Sequence, residues 1–126
     1  MQEKLYMSQE DLYRVGNSSS AMLTKIRSGE ISLLEMNGVK VVVANGKGVS
    51  LYNEQGLKHS ALSGWVWELR SGSVLPQGLC LHKDPDPNNP GHYVICPVVN
   101  MPLHSYVGLL EKLALHCKKL YHRKKA

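Results

Sequence analysis

Residues 33 to 43 read LLEMNGVKVVV, and the Asn37-Gly38 pair at their centre admits few chain paths. Asn followed by Gly suits a type I′ turn, whose two central positions both need positive φ, and that turn joins antiparallel neighbours in a hairpin. Other runs have the same short, β-rich character. DLYRVG (11–16) is closed by Gly16-Asn17, and VSLY follows the glycines of ANGKG. GWVWEL (64–69), LCLHK (79–83) and HYVICPVV (92–99) complete the set, the last two separated by the proline-punctuated loop DPDPNNPG. Alternation in GWVWEL puts Trp65 and Trp67 on one face and Val66 and Glu68 on the other, and both tryptophans are expected in the core.

Helical spacing occurs twice. SSSAMLTKIRSGE (18–30) predicts a short helix capped by Ser18 or Ser19, with Met22, Leu23 and Ile26 on one side and Gly29 at its end. Near the end of the chain, Leu103, Tyr106, Val107, Leu110, Leu113, Ala114, Cys117, Leu120 and Tyr121 repeat at i, i+3, i+4, i+7. Asn100 is the expected cap and Pro102 suits the first turn. The order strand, helix, several strands, helix predicts an α+β fold with two helices on a mostly antiparallel sheet. Its 126 residues fit one domain spanning 1–126.

Charge restricts the partners. The formal net charge is +5, but Lys118, Lys119, Arg123, Lys124 and Lys125 supply five of the 15 basic residues. The rest of the chain then balances at 10 basic against 10 acidic residues. A cluster at 118–126 reads as a solvated helix end that complements the helix dipole, so nucleic-acid binding is not expected. No apolar run approaches the roughly 20 residues that span a bilayer, and the first residues lack a secretory signal pattern. The expected location is the cytoplasm, or export without a cleaved signal into a target cell's cytoplasm. Cys80, Cys96 and Cys117 are odd in number and lack C-x-x-C spacing, so they read as reduced and mostly buried.

Few motifs carry chemistry on their own. A metal site built from Cys80, His82, His92 and Cys96 has suitable donors, but residues i and i+4 of a strand lie roughly 13 Å apart. No metal is therefore expected. NGKGVS lacks the full spacing of a P-loop or a dinucleotide fingerprint, and no serine sits in a G-x-S-x-G elbow. What is left is dispersed. Arg14 is the one cation in an apolar first strand, where it would ordinarily face solvent. Ser50 and Tyr52 share a strand face, and His92 opens the late strand just after NNPG. Brought into one cleft, these would supply a phosphate or ribose donor, a positioning hydroxyl and an imidazole.

LYRVG, NGKGVSLYNEQGL, SGSVLPQGLCLHKD and GHYVICPVVNMPLHSYVGLLEKLA, in this order, resemble the type VI secretion exported effector two family of toxins. The resemblance runs from about Leu12 to Leu120. It implies an ADP-ribosyltransferase-like fold with a split sheet, NAD as the molecule bound in the cleft, and toxicity toward other bacteria. It also implies a cognate immunity protein, a target macromolecule and secretion machinery as partners. Arg14 falls at the family's first-strand arginine, Gly48, Val49 and Ser50 fall on its glycine-hydroxyl motif, and His92 falls on a histidine before a tyrosine. Arg14, Ser50 and His92 are thus the implied catalytic set, with Gly48 and Tyr52 joining them in NAD binding. The first hydroxyl of that motif is Val49 here. The usual glutamate of the third motif is also missing, since no acid lies between Asp86 and Glu111, and Glu68 is the substitute to consider. Either His92 takes part of that role or the cleft binds NAD without conventional transfer. A non-enzymatic protein-binding module is the alternative function.

Overall fold

The structure is a computed structural model and describes residues 3–124. Its elements run β1 (Leu12–Gly16), β2 (Leu33–Met36), β3 (Val39–Val42), β4 (Val49–Tyr52), α1 (Glu54–His59) and β5 (Gly64–Leu69). There follow β6 (Leu79–Lys83), β7 (His92–Pro97), β8 (Met101–Pro102), α2 (Leu103–Ala114) and β9 (Lys118–Arg123). A six-stranded sheet has the order β6-β7-β4-β1-β5-β9, and a three-stranded sheet has the order β2-β3-β8. Every pairing is antiparallel. The fold is α+β, as the order of apolar runs predicts, and no helix among the described residues is long and apolar enough to cross a membrane.

The hairpin forms where Asn37-Gly38 demands it. Both residues have positive φ, 52° and 77°, and the register Met36↔Val39 leaves just those two in the turn. α2 lies against the large sheet through Tyr106, Leu110 and Leu113, which are fully buried with Leu12, Val49, Leu51 and Ile95 of the strands and Val42 of the hairpin. Tyr106 fixes the seam between β4 and β7. Its hydroxyl donates to the Ile95 carbonyl at 2.6 Å and accepts from the Val49 N–H at 3.1 Å. Gly48 allows this approach, because a Cβ there would sit 1.9 Å from the Ile95 carbonyl oxygen.

Several expectations give way. No helix forms over 18–30; the segment turns repeatedly, with Asn17 Oδ1 accepting from the N–H groups of Ser19 and Ser20. The reason is Arg14, whose guanidinium takes the carbonyls of Met22 and Lys25 that a helix would use internally. The first helix is instead α1, capped by the Asn53 side chain on the Gly56 N–H. α2 stops at Ala114, short of the apolar pattern, and Asn100 spends its side chain on the Ala44 N–H rather than on a cap. The basic tail is a sheet strand and not a solvated helix end: β9 pairs along β5, and Arg123 donates to the carbonyls of Leu62 and Ser60. Lys125 lies outside the described residues. The two tryptophans are half-buried: Trp67 packs against the main core and donates to the Asn17 carbonyl, whereas Trp65 lies outside it with Lys119 4.8 Å from its ring.

Candidate active site

β1 and β4 stay together for only one registered pair, Tyr13↔Tyr52, and then part. In a continuous sheet the next backbone groups of β4 would find partners on β1. Here they find side chains. The Ser50 N–H donates to Glu30 Oε2 at 2.9 Å, and the Ser50 carbonyl accepts from Arg14 Nη1 at 2.9 Å. Arg14 and Glu30 pair at 3.2 Å, with only 2% and 8% of their side chains exposed. Glu30 Oε1 also accepts from the Arg27 N–H at 2.7 Å. The split in the sheet is therefore closed by one ion pair; among the described residues, Arg14 Nε is the buried side-chain polar atom left without a hydrogen-bond partner.

Electrostatics follow from this packing. Burial pushes the Arg14 guanidinium down from its ordinary value, and Glu30 pulls it back. For Glu30, burial would raise the carboxyl, but the N–H groups of Arg27 and Ser50, with Arg14, outweigh it and hold the acid below its ordinary range. The pair is charged and fixed.

On the other side of β4, the register Tyr52↔His92 and Ser50↔Val94 puts Ser50, Tyr52 and His92 on one face. His92 Nε2 lies 2.8 Å from Ser50 Oγ, and its Nδ1 lies 2.7 Å from Asp84 Oδ2. The Tyr52 ring sits 5.3 Å from the imidazole. Burial alone would raise the Asp84 carboxyl, but the Asp86 N–H and the His92 ring lower it below the usual range. An ionised Asp84 can only accept, so Nδ1 carries a proton toward it, and Nε2 faces the Ser50 hydroxyl.

This row floors a cavity of about 400 Å³, lined by Glu30, Lys47, Gly48, Ser50, Asp84 and His92 among others. Ligand pockets are commonly about 300–1,000 Å³. Tyr52, next to His92, lines a second hollow of about 640 Å³ with Arg27, His59 and Asn89.

Of the residues singled out in the sequence, Gly48, Ser50 and His92 meet at the first cavity, and Tyr52 stands beside them. Arg14 does not line it. It is buried rather than solvent-facing, and both terminal nitrogens are occupied by protein acceptors. It reaches the site through the Ser50 backbone and Glu30. Glu68 sits two strands from β4, on β5, with Arg70 Nε at 3.4 Å, outside both linings. Sequence reasoning missed Glu30 and Asp84. Glu30 was hidden at the end of an expected helix. Asp84 had one signal, its place at the close of LCLHK directly before the loop that leads to His92.

A family model described as Tse2 ADP-ribosyltransferase toxin matches residues 10–121. No curated protein and no solved structure matches the chain.

Proposed function

The chain belongs to the Tse2 ADP-ribosyltransferase toxin family, and from that premise we propose that the cavity at Ser50 and His92 takes the nicotinamide-ribose end of NAD. The observation that carries this reading is the hydrogen-bonded row Ser50–His92–Asp84 on the cavity floor, which gives the site a base where ADP-ribosyltransferases of the usual kind place a glutamate. The rest of the dinucleotide extends past Tyr52 toward the second hollow. Lys47, which lines the first cavity, offers its phosphates a cation. Family membership supports NAD as the substrate, and its toxin character supports a target macromolecule as acceptor, action in the target-cell cytoplasm and a cognate immunity protein.

The chemistry is a substitution at C1′ of the ribose. The bond from C1′ to the nicotinamide nitrogen breaks, and neutral nicotinamide leaves with the electron pair. An acceptor hydroxyl or water forms the new bond to C1′. As it attacks, Ser50 Oγ takes its proton and passes its own to His92 Nε2, so His92 ends as imidazolium and later returns the proton to solvent. Arg14 and Glu30 act from beneath. They hold the Ser50 backbone, and with it the hydroxyl, at the split of the sheet.

The test is nicotinamide release from NAD by the purified chain, with growth arrest on expression as a second readout. His92→Ala should cut turnover on the order of 10² to 10⁴-fold, and Ser50→Ala should weaken it by less. A folded His92→Ala variant with full activity and toxicity would move the chemistry elsewhere. A wild-type chain that arrests growth and leaves NAD intact would favour the binding-module alternative.

A further inference from the structure

Asp84 is assigned no role by the family resemblance, and its position is hard to account for by folding alone. It ends a short loop hairpin: its N–H donates to the His92 carbonyl at 2.9 Å, which sets the two residues opposite one another across β6 and β7. Its Oδ1 accepts from the Asp86 N–H at 2.9 Å and so closes an Asx turn. Oδ2 is turned away from that turn to His92 Nδ1 at 2.7 Å, with Asn89 Nδ2 at 3.4 Å. One oxygen therefore shapes the loop, and the other holds the ring.

We infer that Asp84 is a positioning residue for the proposed reaction: it fixes His92 in the tautomer with the proton on Nδ1, leaving Nε2 free to receive the acceptor's proton through Ser50. The inference rests on the NAD reading above. A carboxylate and an imidazole together then do what a single glutamate does elsewhere. The carboxylate stabilises the imidazolium formed when Nε2 is protonated, and it does so without taking the proton itself. Lone imidazoles on strand ends rotate and exchange tautomers; this one is held at both nitrogens and is only 11% exposed in its side chain.

The ring's other neighbours come from β4 and from the cavity wall. The Tyr52 ring on β4 lies tilted beside it at 5.3 Å, and Ser50 on β4 touches Nε2. Glu30 and Lys47 line the same cavity, but Glu30 is committed to Arg14, Ser50 and Arg27. Asp84 is the carboxylate in contact with the ring.

Asp84→Asn is the decisive variant, because the amide oxygen can keep the Asp86 N–H bond while the amide N–H₂ favours an unprotonated Nδ1. Three readouts are taken on the full chain: nicotinamide release as kcat and KM across pH, the His92 tautomer by nitrogen-15 NMR of the imidazole, and the melting temperature. The expected result is a kcat lower on the order of 10²-fold with KM little changed. The tautomer switches to Nε2–H, and the acid limb of the pH profile moves to lower pH, because an anion beside the imidazolium has gone. Asp84→Glu should restore part of the rate, and with it the wild-type tautomer. An Asp84→Asn protein with unchanged tautomer, or with the wild-type rate and pH profile, overturns the inference. If Asp84→Asn melts early, Asp84→Glu decides: a folded Glu variant whose ring leaves the Nδ1–H form also overturns it. If the wild-type chain releases no nicotinamide, the NAD reading falls, whereas the tautomer measurement still reports on whether Asp84 holds the ring.

Discussion

Arg14→Ala is the perturbation that separates a structural cation from a substrate-binding one. The guanidinium is 2% exposed and makes four hydrogen bonds, to Glu30 Oε2 and to the carbonyls of Ser50, Met22 and Lys25. Removing it leaves a carboxylate with 8% side-chain exposure and no cation, and strips donors from three carbonyls. Breaking a buried pair from one side costs about 3–5 kcal/mol. Against a stability of about 0.05–0.15 kcal/mol per residue, or about 6 kcal/mol at the low end for 126 residues, the variant keeps a folded majority. Urea melts followed by tryptophan fluorescence would read the loss as a midpoint lower by roughly 1–5 M, with slopes of about 1–3 kcal/mol per M. Glu30→Gln strands the cation instead and should lose a similar amount. The double variant Arg14→Ala with Glu30→Gln should lose less than the sum, by about 0.5–3 kcal/mol of coupling. Losses below about 1 kcal/mol for Arg14→Ala, or strict additivity, would refute the claim that this pair closes the sheet.

The same pair gives a pH signature. The folded Glu30 carboxyl is depressed, with burial opposed by the Arg27 and Ser50 N–H groups and by Arg14. Its contribution is therefore complete above the unfolded carboxylate value of about 4.3 and is lost as pH falls through the lower folded value. The stability gap between wild type and Glu30→Gln should be widest near neutrality and close in that acid window. A gap independent of pH would mean that Glu30 contributes shape and not charge.

Tyr106→Phe should destabilise by about 1–3 kcal/mol in the same melts, because the Val49 N–H loses its acceptor and the buried Ile95 carbonyl a donor. A neutral result would show that water replaces both. Truncation after Cys117 removes β9 and bares the β5 edge, where Val66 and Leu69 are buried. The truncated chain should melt earlier and self-associate by size exclusion, as an open apolar edge invites pairing; a stable monomer would show that β9 is dispensable.

What the sequence revealed was whatever local chemistry decides. Asn37-Gly38 has one good conformation, and the other strand runs are short, β-rich and bounded by turn residues, so the hairpin and five further strand segments can be read directly. β9 could not be separated from α2 this way, since Cys117, Leu120 and Tyr121 continue the helical spacing while their backbone has already turned to pair with β5. Residues 18–30 failed for a related reason. Their helical spacing is real, but a buried guanidinium offers the Met22 and Lys25 carbonyls better partners than a helix of that length could. A tertiary contact overrode a local preference, and the contact comes from a residue that composition alone would have left in solvent.

The site divides along the same line. Ser50 and Tyr52 were recoverable because period two places them on one face, and His92 stood out at the mouth of its strand and through the resemblance; the register of β4 on β7 then brings the three together. Asp84 was not, since its meeting with His92 depends on how the loop between them closes. That closure has its own physical fixing. Gly91 has φ +74°, and a Cβ there would sit 2.0 Å from Asn53 Oδ1, so only glycine lets the loop lie against the cap of α1. The Asn53 N–H then donates to the Gly91 carbonyl at 2.8 Å, and Asn53 Oδ1 caps the Gly56 N–H. One asparagine thereby ties the end of β4, the start of α1 and the turn before His92 together. The imidazole is aimed by a helix cap on one side and by Asp84 on the other, and each constraint is built from residues that a strand pattern passes over as loop.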